Sequence, residues 1–158
     1  MAAELLNERI SQIAAAPSQL RKAVEGLNLQ QLNTPYRDGG WTVIQVVHHL
    51  PDSHLNAYIR FKLAVTENEP TIKPYDEALW AELHDASESD IEVSLVLLEA
   101  LHRRWILFLQ SLKEEQFQRI FHHPEIGVMS LDRTLALYAW HGRHHIAHVN
   151  ALRQRRGW

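Results

Sequence analysis

The chain of 158 residues contains no cysteine, and this absence restricts the chemistry that its own side chains can perform. Without cysteine there can be no disulfide, no thiolate metal ligand and no cysteine nucleophile. A metal site would therefore rest on nitrogen and oxygen ligands. A thiol that takes part in a reaction would have to arrive as a substrate.

Long apolar runs and an excess of positive charge are also missing. No stretch of about 18 apolar residues is present, so no membrane-spanning helix is predicted. The N-terminal segment is acidic and lacks the apolar core of a signal peptide, so we expect a cytoplasmic protein. The net charge of -3 argues against a general nucleic-acid-binding protein. Because 46% of the residues are hydrophobic, we expect a packed core in one domain spanning residues 1–158.

Four long stretches of the chain repeat their apolar residues with helical spacing. Helices are predicted over residues 3–27, from Trp41 to about Glu67, over residues 91–112, and from Ser130 or Leu131 to Arg156. Pro17 lies inside the first stretch and is expected to kink that helix or to start a new one. Pro51 is expected to bend the second helix or to split it near Leu50.

Shorter segments lie between these stretches. The prediction is one helical turn over residues 28–32, a short helix over 76–83, loose turns over 114–121, and loop or extended chain over 122–125. The alternation typical of strands does not persist for long. We therefore predict an all-α fold, a four-helix bundle with short extra helices in its loops. More than roughly 55% of it should be helical, without a sheet of three or more strands.

Four of the eleven histidines lie within the nine residues 140–148. In a helix, His141 and His145 lie one turn apart on the same face, and so do His144 and His148. Two histidines at this spacing can meet one cation, and a third ligand must come from another element. Helices also carry such pairs without a metal. The alternative is one buried histidine bonded to a carbonyl and three exposed ones.

The third ligand is expected from the second long helix, which contains three histidines. On a helical wheel, a polar stripe of this helix contains His49, Asp52, Ser53, Asn56 and Arg60. Such a stripe can be a solvated face or can line a polar cavity. Because bundle sites are built from facing helices, the geometric prediction combines His49 with His141 and His145. Three imidazole ligands leave at least one coordination position open, as in catalytic zinc sites.

Two segments of the sequence carry motif-like patterns. In residues 39–50, a tryptophan is followed eight residues later by His49 and then by a leucine. Residues 138–148 contain the pair His141 and His145 in an HxxxH pattern. Both segments resemble the DinB-like superfamily, in its YfiT-like branch, whose ligand positions map onto these three histidines. Further similar segments are residues 35–42, 52–54, 58–62 and 73–76. The resemblance extends from about Leu20 to Trp158, and the N-terminus is shorter than in the family.

The resemblance implies an up-down-down-up four-helix bundle, a homodimer, and one divalent metal per subunit, for which zinc or nickel is expected. Members of the family are described as metal-dependent hydrolases. The YfiT-like branch is also similar to bacillithiol S-transferases, which join a low-molecular-weight thiol to an electrophile. A dication on neutral ligands lowers the pKa of a bound water or thiol, so the two activities are chemically related. The implied function is a metal-dependent enzyme that acts on a small-molecule substrate, and the resemblance favours a substrate thiol as the nucleophile, with water next.

Other side chains near the expected metal are assigned roles in the reaction. Asp52 or His144 is predicted to act as a general base. Arg60, with Asp52, is predicted to hold the charged groups of a thiol substrate, unless Arg60 pairs with a structural acid. Tyr36 and Tyr75 could supply hydroxyl groups. Two alternatives without turnover stay open: a metal-binding or stress-response module, and a structural dimer stabilised by its metal.

Overall fold

The computed structural model of the protein describes residues 3–158, and four long helices with two short ones form most of it. The helices are α1 (Ala3–Val24), α2 (Leu29–Leu32), α3 (Val43–Thr66), α4 (Glu77–Ala81), α5 (Glu92–Ser111) and α6 (Leu131–Arg156). Two 3-10 helices, His84–Ser87 and Glu114–Gln118, flank α5. Helix makes up 71% of the structure, which confirms the prediction of more than 55%. Within residues 3–158, none of the helices combines the length and the hydropathy that a membrane span requires.

Contacts at both ends of α1 and α6 show that these two helices run in the same direction. Near their starts, Arg9 binds Asp132 through an ion pair of 2.6 Å. Near their ends, the guanidinium of Arg153 donates to the carbonyl oxygen of Ala23 over 2.9 Å. The basic end of α6 therefore also caps the carbonyls at the end of α1, as cations do at helix C-termini.

Helix α5 runs antiparallel to α1 and parallel to α3. Arg21 at the end of α1 pairs with Glu92 at the start of α5, and Ile13 contacts His102 further along. The register of α3 and α5 follows from two contacts, His48 with Ser94 and His54 with His102. These directions give the up-down-down-up order of α1, α3, α5 and α6, as the resemblance implied.

Both prolines lie inside continuous helices. α1 runs through Pro17 and α3 runs through Pro51, so the alternatives of a new helix at Pro17 and of a split near Leu50 are wrong, whereas a kink or a bend stays a prediction. A proline removes one helical hydrogen bond but does not end a helix whose flanks are held by packing. In α1, Ile13 and Leu20 on either side of Pro17 are 1% and 0% exposed.

A small hairpin precedes α6. Strand β1 (Ile120–His123) pairs antiparallel with β2 (Gly127–Ser130), and among the described residues this sheet has two strands. The absence of a larger sheet agrees with the prediction, and residues 122–123 take the extended alternative. The loose turns predicted over 114–121 are a 3-10 helix followed by the start of β1. Ser130 then caps α6, because its hydroxyl accepts the amide hydrogen of Arg133 over 3.1 Å.

The apolar core consists of two clusters along the bundle. One lies around Phe61, Trp105 and Leu135, and the other around Leu20 and Leu50. His54 on α3, His102 on α5 and His141 on α6 each fall between the positions that belong to the two clusters. The bundle therefore contains a polar layer of histidines between two apolar layers, and the site lies in that layer.

Candidate metal centre

His49 from α3 and the pair His141 and His145 from α6 meet inside the bundle. The Nε2 atom of His141 lies 3.3 Å from Nε2 of His49 and 3.2 Å from Nε2 of His145. One ligand atom from each ring lies within 4.8 Å of the others. Two nitrogens bound tetrahedrally at 2.0–2.1 Å from one ion are about 3.3 Å apart, so the three rings fit a metal ion.

The start of α3 holds His49 in place. The Thr42 hydroxyl accepts the Gln45 amide hydrogen over 3.2 Å, and the Gln45 side chain accepts the Thr42 amide hydrogen over 3.0 Å. This reciprocal cap fixes the first turn of the helix that carries His49. The ring of Trp41, just before the cap, lies 4.7 Å from the ring of His49 and 6.2 Å from that of His145. Trp41 therefore forms one wall of the site.

All three ligand candidates are neutral near pH 7. Burial, together with a smaller effect of neighbouring histidines, lowers the pKa of His49, His141 and His145 to about 3. A neutral imidazole has one bare nitrogen, which is the form that binds a metal. Three such rings with their Nε2 atoms in contact are a donor set for one cation.

Behind the ligands, His141 is backed by two further histidines. Nδ1 of His141 lies 3.2 Å from Nε2 of His54, and Nδ1 of His54 lies 2.8 Å from Nε2 of His102. Nδ1 of His102 lies 2.7 Å from the carbonyl oxygen of Ile13. By contrast, Nδ1 of His145 is buried without a hydrogen-bond partner among the described residues. Sequence reasoning did not single out His54 or His102.

A carboxylate that the sequence analysis missed lies beside the three histidines. Oε2 of Glu77 is 4.0 Å from Nε2 of His49, and the Glu77 side chain is 60% exposed. Glu77 begins α4, which Asp76 caps at its start and which Gln45 of α3 anchors by donating to Ala81 O over 2.8 Å. No periodicity relates α4 to the other helices, so the position of Glu77 could not be read from the sequence.

A polar cluster adjoins the ligands on the side of Arg60. The hydroxyl of Ser53 interacts with the phenols of Tyr75 and Tyr138, and the charge of Arg60 acts on both phenols. Burial raises the pKa of Tyr75 to about 12 and also raises that of Tyr138. Both phenols are therefore protonated hydrogen-bond donors. The ring of Tyr138 lies 5.5 Å from that of His141, so the cluster borders the site.

Asp52 lies on α3 with its carboxyl group near Asp85 and His48. Burial raises its pKa, with a smaller contribution from the charge of Asp85 in the same direction, whereas His48 lowers it. Among the described residues, the charges that act on the Asp52 carboxyl are those of Asp85 and His48 and not those of the three ligand candidates. The general-base role of Asp52 therefore stays a prediction, without a contact in its support.

His144 and His148 form a second pair next to the first. Their Nε2 atoms are 3.0 Å apart, and the ring of His144 stacks on Trp140 at 4.3 Å. Tyr36 stacks on His148 at 4.4 Å, so this tyrosine is engaged with the second pair. The ring of His144 is 5.7 Å from that of His145. Its predicted role in catalysis stays a prediction.

Comparison with known proteins finds two relatives of this chain and one protein of similar fold. It is 55% identical over 155 residues to a protein of Bacillus cereus (strain 03BB102), covering 98% of this chain and 89% of that protein. It is 54% identical over 155 residues to a protein of Bacillus anthracis (strain A0248), with the same coverage. Both are named "Putative metal-dependent hydrolase". TT2238, "a four-helix bundle protein", has a TM-score of 0.63 at 20% identity over 92% of this chain and 98% of its own, and this likeness supports the fold alone.

A closer structural match connects the fold with the site. The structure of YfiT from Bacillus subtilis, described as "a probable metal-dependent hydrolase with an unusual four-helix bundle topology", has a TM-score of 0.97 at 50% identity. The match covers 100% of this chain and 91% of YfiT. The family model of the DinB superfamily matches residues 12–149, which include all three ligand candidates. The chain therefore belongs to the DinB superfamily.

Proposed function

We propose that the protein is a metal-dependent hydrolase of small molecules in which His49, His141 and His145 hold one divalent ion through Nε2. The observation that carries the proposal is the meeting of three neutral imidazole nitrogens beside the exposed carboxylate of Glu77. The names of the Bacillus relatives support the same reaction class. Imidazole ligands suit zinc and nickel, which are the metals we expect.

Such an ion, when bound, lowers the pKa of water at its open position and stabilises negative charge on the substrate. Glu77 is placed to take the proton of the attacking water, because its carboxylate lies 4.0 Å from a ligand nitrogen and is open to solvent. The protonated Glu77 can then pass the proton to the leaving group. His49 adds no charge to the site, since its imidazole is neutral.

The polar cluster is placed to bind the substrate. The guanidinium of Arg60 suits a carboxylate or another anion. Tyr75 and Tyr138 can donate hydrogen bonds to a carbonyl or to an oxyanion as it forms. Arg60 thus keeps its predicted role in binding charged groups of the substrate, and Tyr138 joins it as a hydrogen-bond donor. The proposed substrate is therefore small, with an anionic or carbonyl group that lies opposite the ligands.

Transfer of a low-molecular-weight thiol of the bacillithiol type is a second candidate. The observation that favours it is a cationic and donor-rich cluster beside the ligands in a chain without cysteine. Glu77 would take the thiol proton, the sulfur would form a bond to the electrophilic carbon, and the leaving group would depart with its electron pair. The thiol's carboxylates would bind Arg60. A homodimer stays a prediction for either reaction.

Two assays on protein purified without a histidine tag test the proposal. Metal content is measured first. Ester or amide hydrolysis and thiol consumption are then compared with zinc, with nickel and with a chelator, for wild type and His145→Ala. We expect hydrolysis by the metal-loaded wild type only. Turnover confined to thiol consumption would favour S-transfer.

Equal turnover of loaded and chelated protein would contradict a metal-dependent reaction of either kind. Turnover of neither substrate class in any state would favour a metal-binding or stress-response module. If removal of metal also dissociated a dimer or collapsed the melting transition, the structural role would be the better account.

A further inference from the structure

Two histidines that bind no metal in the proposed site are buried directly behind it. His54 is 0% exposed and His102 is 2% exposed. The rings of Trp105 and Tyr138 lie edge-on to His54 at 5.9 and 5.3 Å, so the pair is enclosed by aromatic groups. An ionised imidazole would be costly in these surroundings. Burial accordingly lowers the pKa of His54 well below its usual value and that of His102 to about 4.

Neutral rings make the direction of each hydrogen bond in this layer unambiguous. A carbonyl oxygen can only accept, so His102 donates from Nδ1 to Ile13 and its Nε2 is bare. His54 must then donate from Nδ1 to that bare nitrogen, which leaves its own Nε2 bare. His141 in turn donates from Nδ1 to His54. The Nε2 atom of His141, which faces His49 and His145, is thereby left without a proton.

The first acceptor of this series is available because of Pro17. In an α-helix the Ile13 carbonyl would accept the amide hydrogen of residue 17, and proline has no such hydrogen. The oxygen is therefore free to accept a hydrogen bond from His102 over 2.7 Å. The proline inside α1 thus provides the acceptor for the buried ring of His102.

We propose that Pro17, the Ile13 carbonyl, His102 and His54 form a hydrogen-bonded series that fixes the tautomer and orientation of His141 for metal binding. These are positioning residues, and the proposal rests on the ligand role given to His141 above. Ligand histidines commonly donate their second ring nitrogen to an oxygen acceptor. Here two further histidines, on α5 and α3, connect a backbone carbonyl of α1 with a ligand candidate on α6.

His48 offers a matched comparison within the same pair of helices. It is also buried between α3 and α5, where its ring bonds to the Ser94 hydroxyl over 2.7 Å and to the Glu88 carbonyl over 2.8 Å. Neither bond leads to the ligand candidates. Replacing His48 should therefore remove buried hydrogen bonds without changing the tautomer of His141.

The first test measures the tautomers of the metal-free protein by long-range proton–nitrogen NMR correlation. We expect His102, His54 and His141 to carry their proton on Nδ1. A proton on Nε2 of His54 or His141 would overturn the proposal, whatever the metal affinity. Expected tautomers in a protein that binds no zinc would support the series and contradict the proposed metal site instead.

The second test measures zinc affinity by competition with a chelator. We expect His102→Phe to weaken binding by about 10- to 100-fold, the usual loss for such supporting groups, with His141 becoming a mixture of tautomers. His48→Phe should keep wild-type affinity. His102→Gln should regain part of the loss, because its amide oxygen can accept from His54. Equal losses in the two phenylalanine variants, or none in His102→Phe, would overturn the proposal.

The variant Pro17→Ala distinguishes an effect on the orientation of His141 from an effect on stability, because the two are expected to change in opposite directions. It can be measured even if His102→Phe fails to fold. The new amide hydrogen competes with His102 for the Ile13 carbonyl, while the helix gains a bond. We expect a higher melting temperature together with a few-fold weaker zinc affinity. Unchanged affinity would overturn the part assigned to Pro17.

Discussion

Pro17 follows Ile13 by four residues in α1, and the Ile13 carbonyl oxygen accepts its hydrogen bond from His102 instead of from the helix. The loss of one backbone bond is compensated inside the bundle, where a buried imidazole needs an acceptor. A residue on the first helix is thereby connected with a ligand candidate on the last. The same relationship explains why a proline is tolerated in a helix that does not end there.

Removal of a ligand should abolish metal binding and leave the fold largely intact. We expect His141→Ala to lose its divalent ion and to keep its helical circular dichroism, because the two apolar clusters do not depend on the metal. His144→Ala is the matched control, since His144 lies three residues further along the same helix, and this variant should retain the ion. Metal analysis of both variants shows which of the two histidines is a ligand. Full occupancy in His141→Ala would contradict its ligand role.

Replacement of Glu77 should affect turnover rather than metal binding. Loss of a general base typically costs about 10²- to 10⁴-fold in rate, so Glu77→Gln should be nearly inactive while its metal content stays unchanged. Glu82→Gln removes an exposed carboxylate at the other end of α4 and serves as the control. Activity and metal content of the two variants provide the measurement. Wild-type turnover in Glu77→Gln would show that another group takes the proton.

Gly142 lies where α6 packs closely against α1 and against the His54 ring. A Cβ atom at this position would lie 3.3 Å from the Ala16 Cβ and 3.4 Å from Cε1 of His54. We therefore expect Gly142→Ala to weaken zinc binding several-fold, although alanine is the better helix former. Titration with a competing chelator measures the effect. Adding Ala16→Gly relieves the tighter contact, the one with α1, and should restore part of the affinity. Unchanged zinc affinity in Gly142→Ala would contradict the prediction.

The buried histidines should make the metal-free protein sensitive to acid. Burial lowers the pKa of His102 to about 4, so between roughly pH 6.5 and pH 4 the unfolded chain binds more protons than the folded one. The free energy of unfolding must therefore fall as the pH falls through this window, by up to about 1.4 kcal/mol per pH unit for each such histidine. Urea denaturation at several pH values measures this slope.

A variant provides the check on that prediction. His102→Phe removes one of the titrating groups, so its stability should depend less steeply on pH than that of wild type. A wild-type free energy of unfolding that does not change between about pH 6.5 and pH 4 would contradict the neutral, buried state of these rings.

Helical periodicity was sufficient to predict the bundle, and it placed His49 on a polar stripe of its helix. His141 and His145 are one turn apart, but so are His144 and His148, so spacing alone leaves two pairs on α6. The family motif is what distinguishes His141 and His145 from the second pair. Spacing could not show that Pro17 and Pro51 lie within continuous helices, because packing by distant segments compensates for the lost bonds.

Glu77 and His102 could not be predicted, because their importance arises from contacts between elements. Glu77 reaches the site through a short helix that Gln45 anchors by one hydrogen bond to Ala81. His102 lies on the apolar face of α5 in the same series as Trp105, where a histidine must find buried partners. The position of His102 on this face predicts a buried hydrogen bond, but the sequence does not show which group accepts it.

The most direct test of the account is the anomalous diffraction of crystals grown from zinc- or nickel-loaded protein. The account predicts one peak per chain, at about 2.0–2.2 Å from the Nε2 atoms of His49, His141 and His145. The Nδ1 atom of His141 should remain bonded to His54. A peak held by His144 and His148 would contradict the metal site, and one bonded to Nδ1 of His141 would contradict both the site and the hydrogen-bonded series behind it.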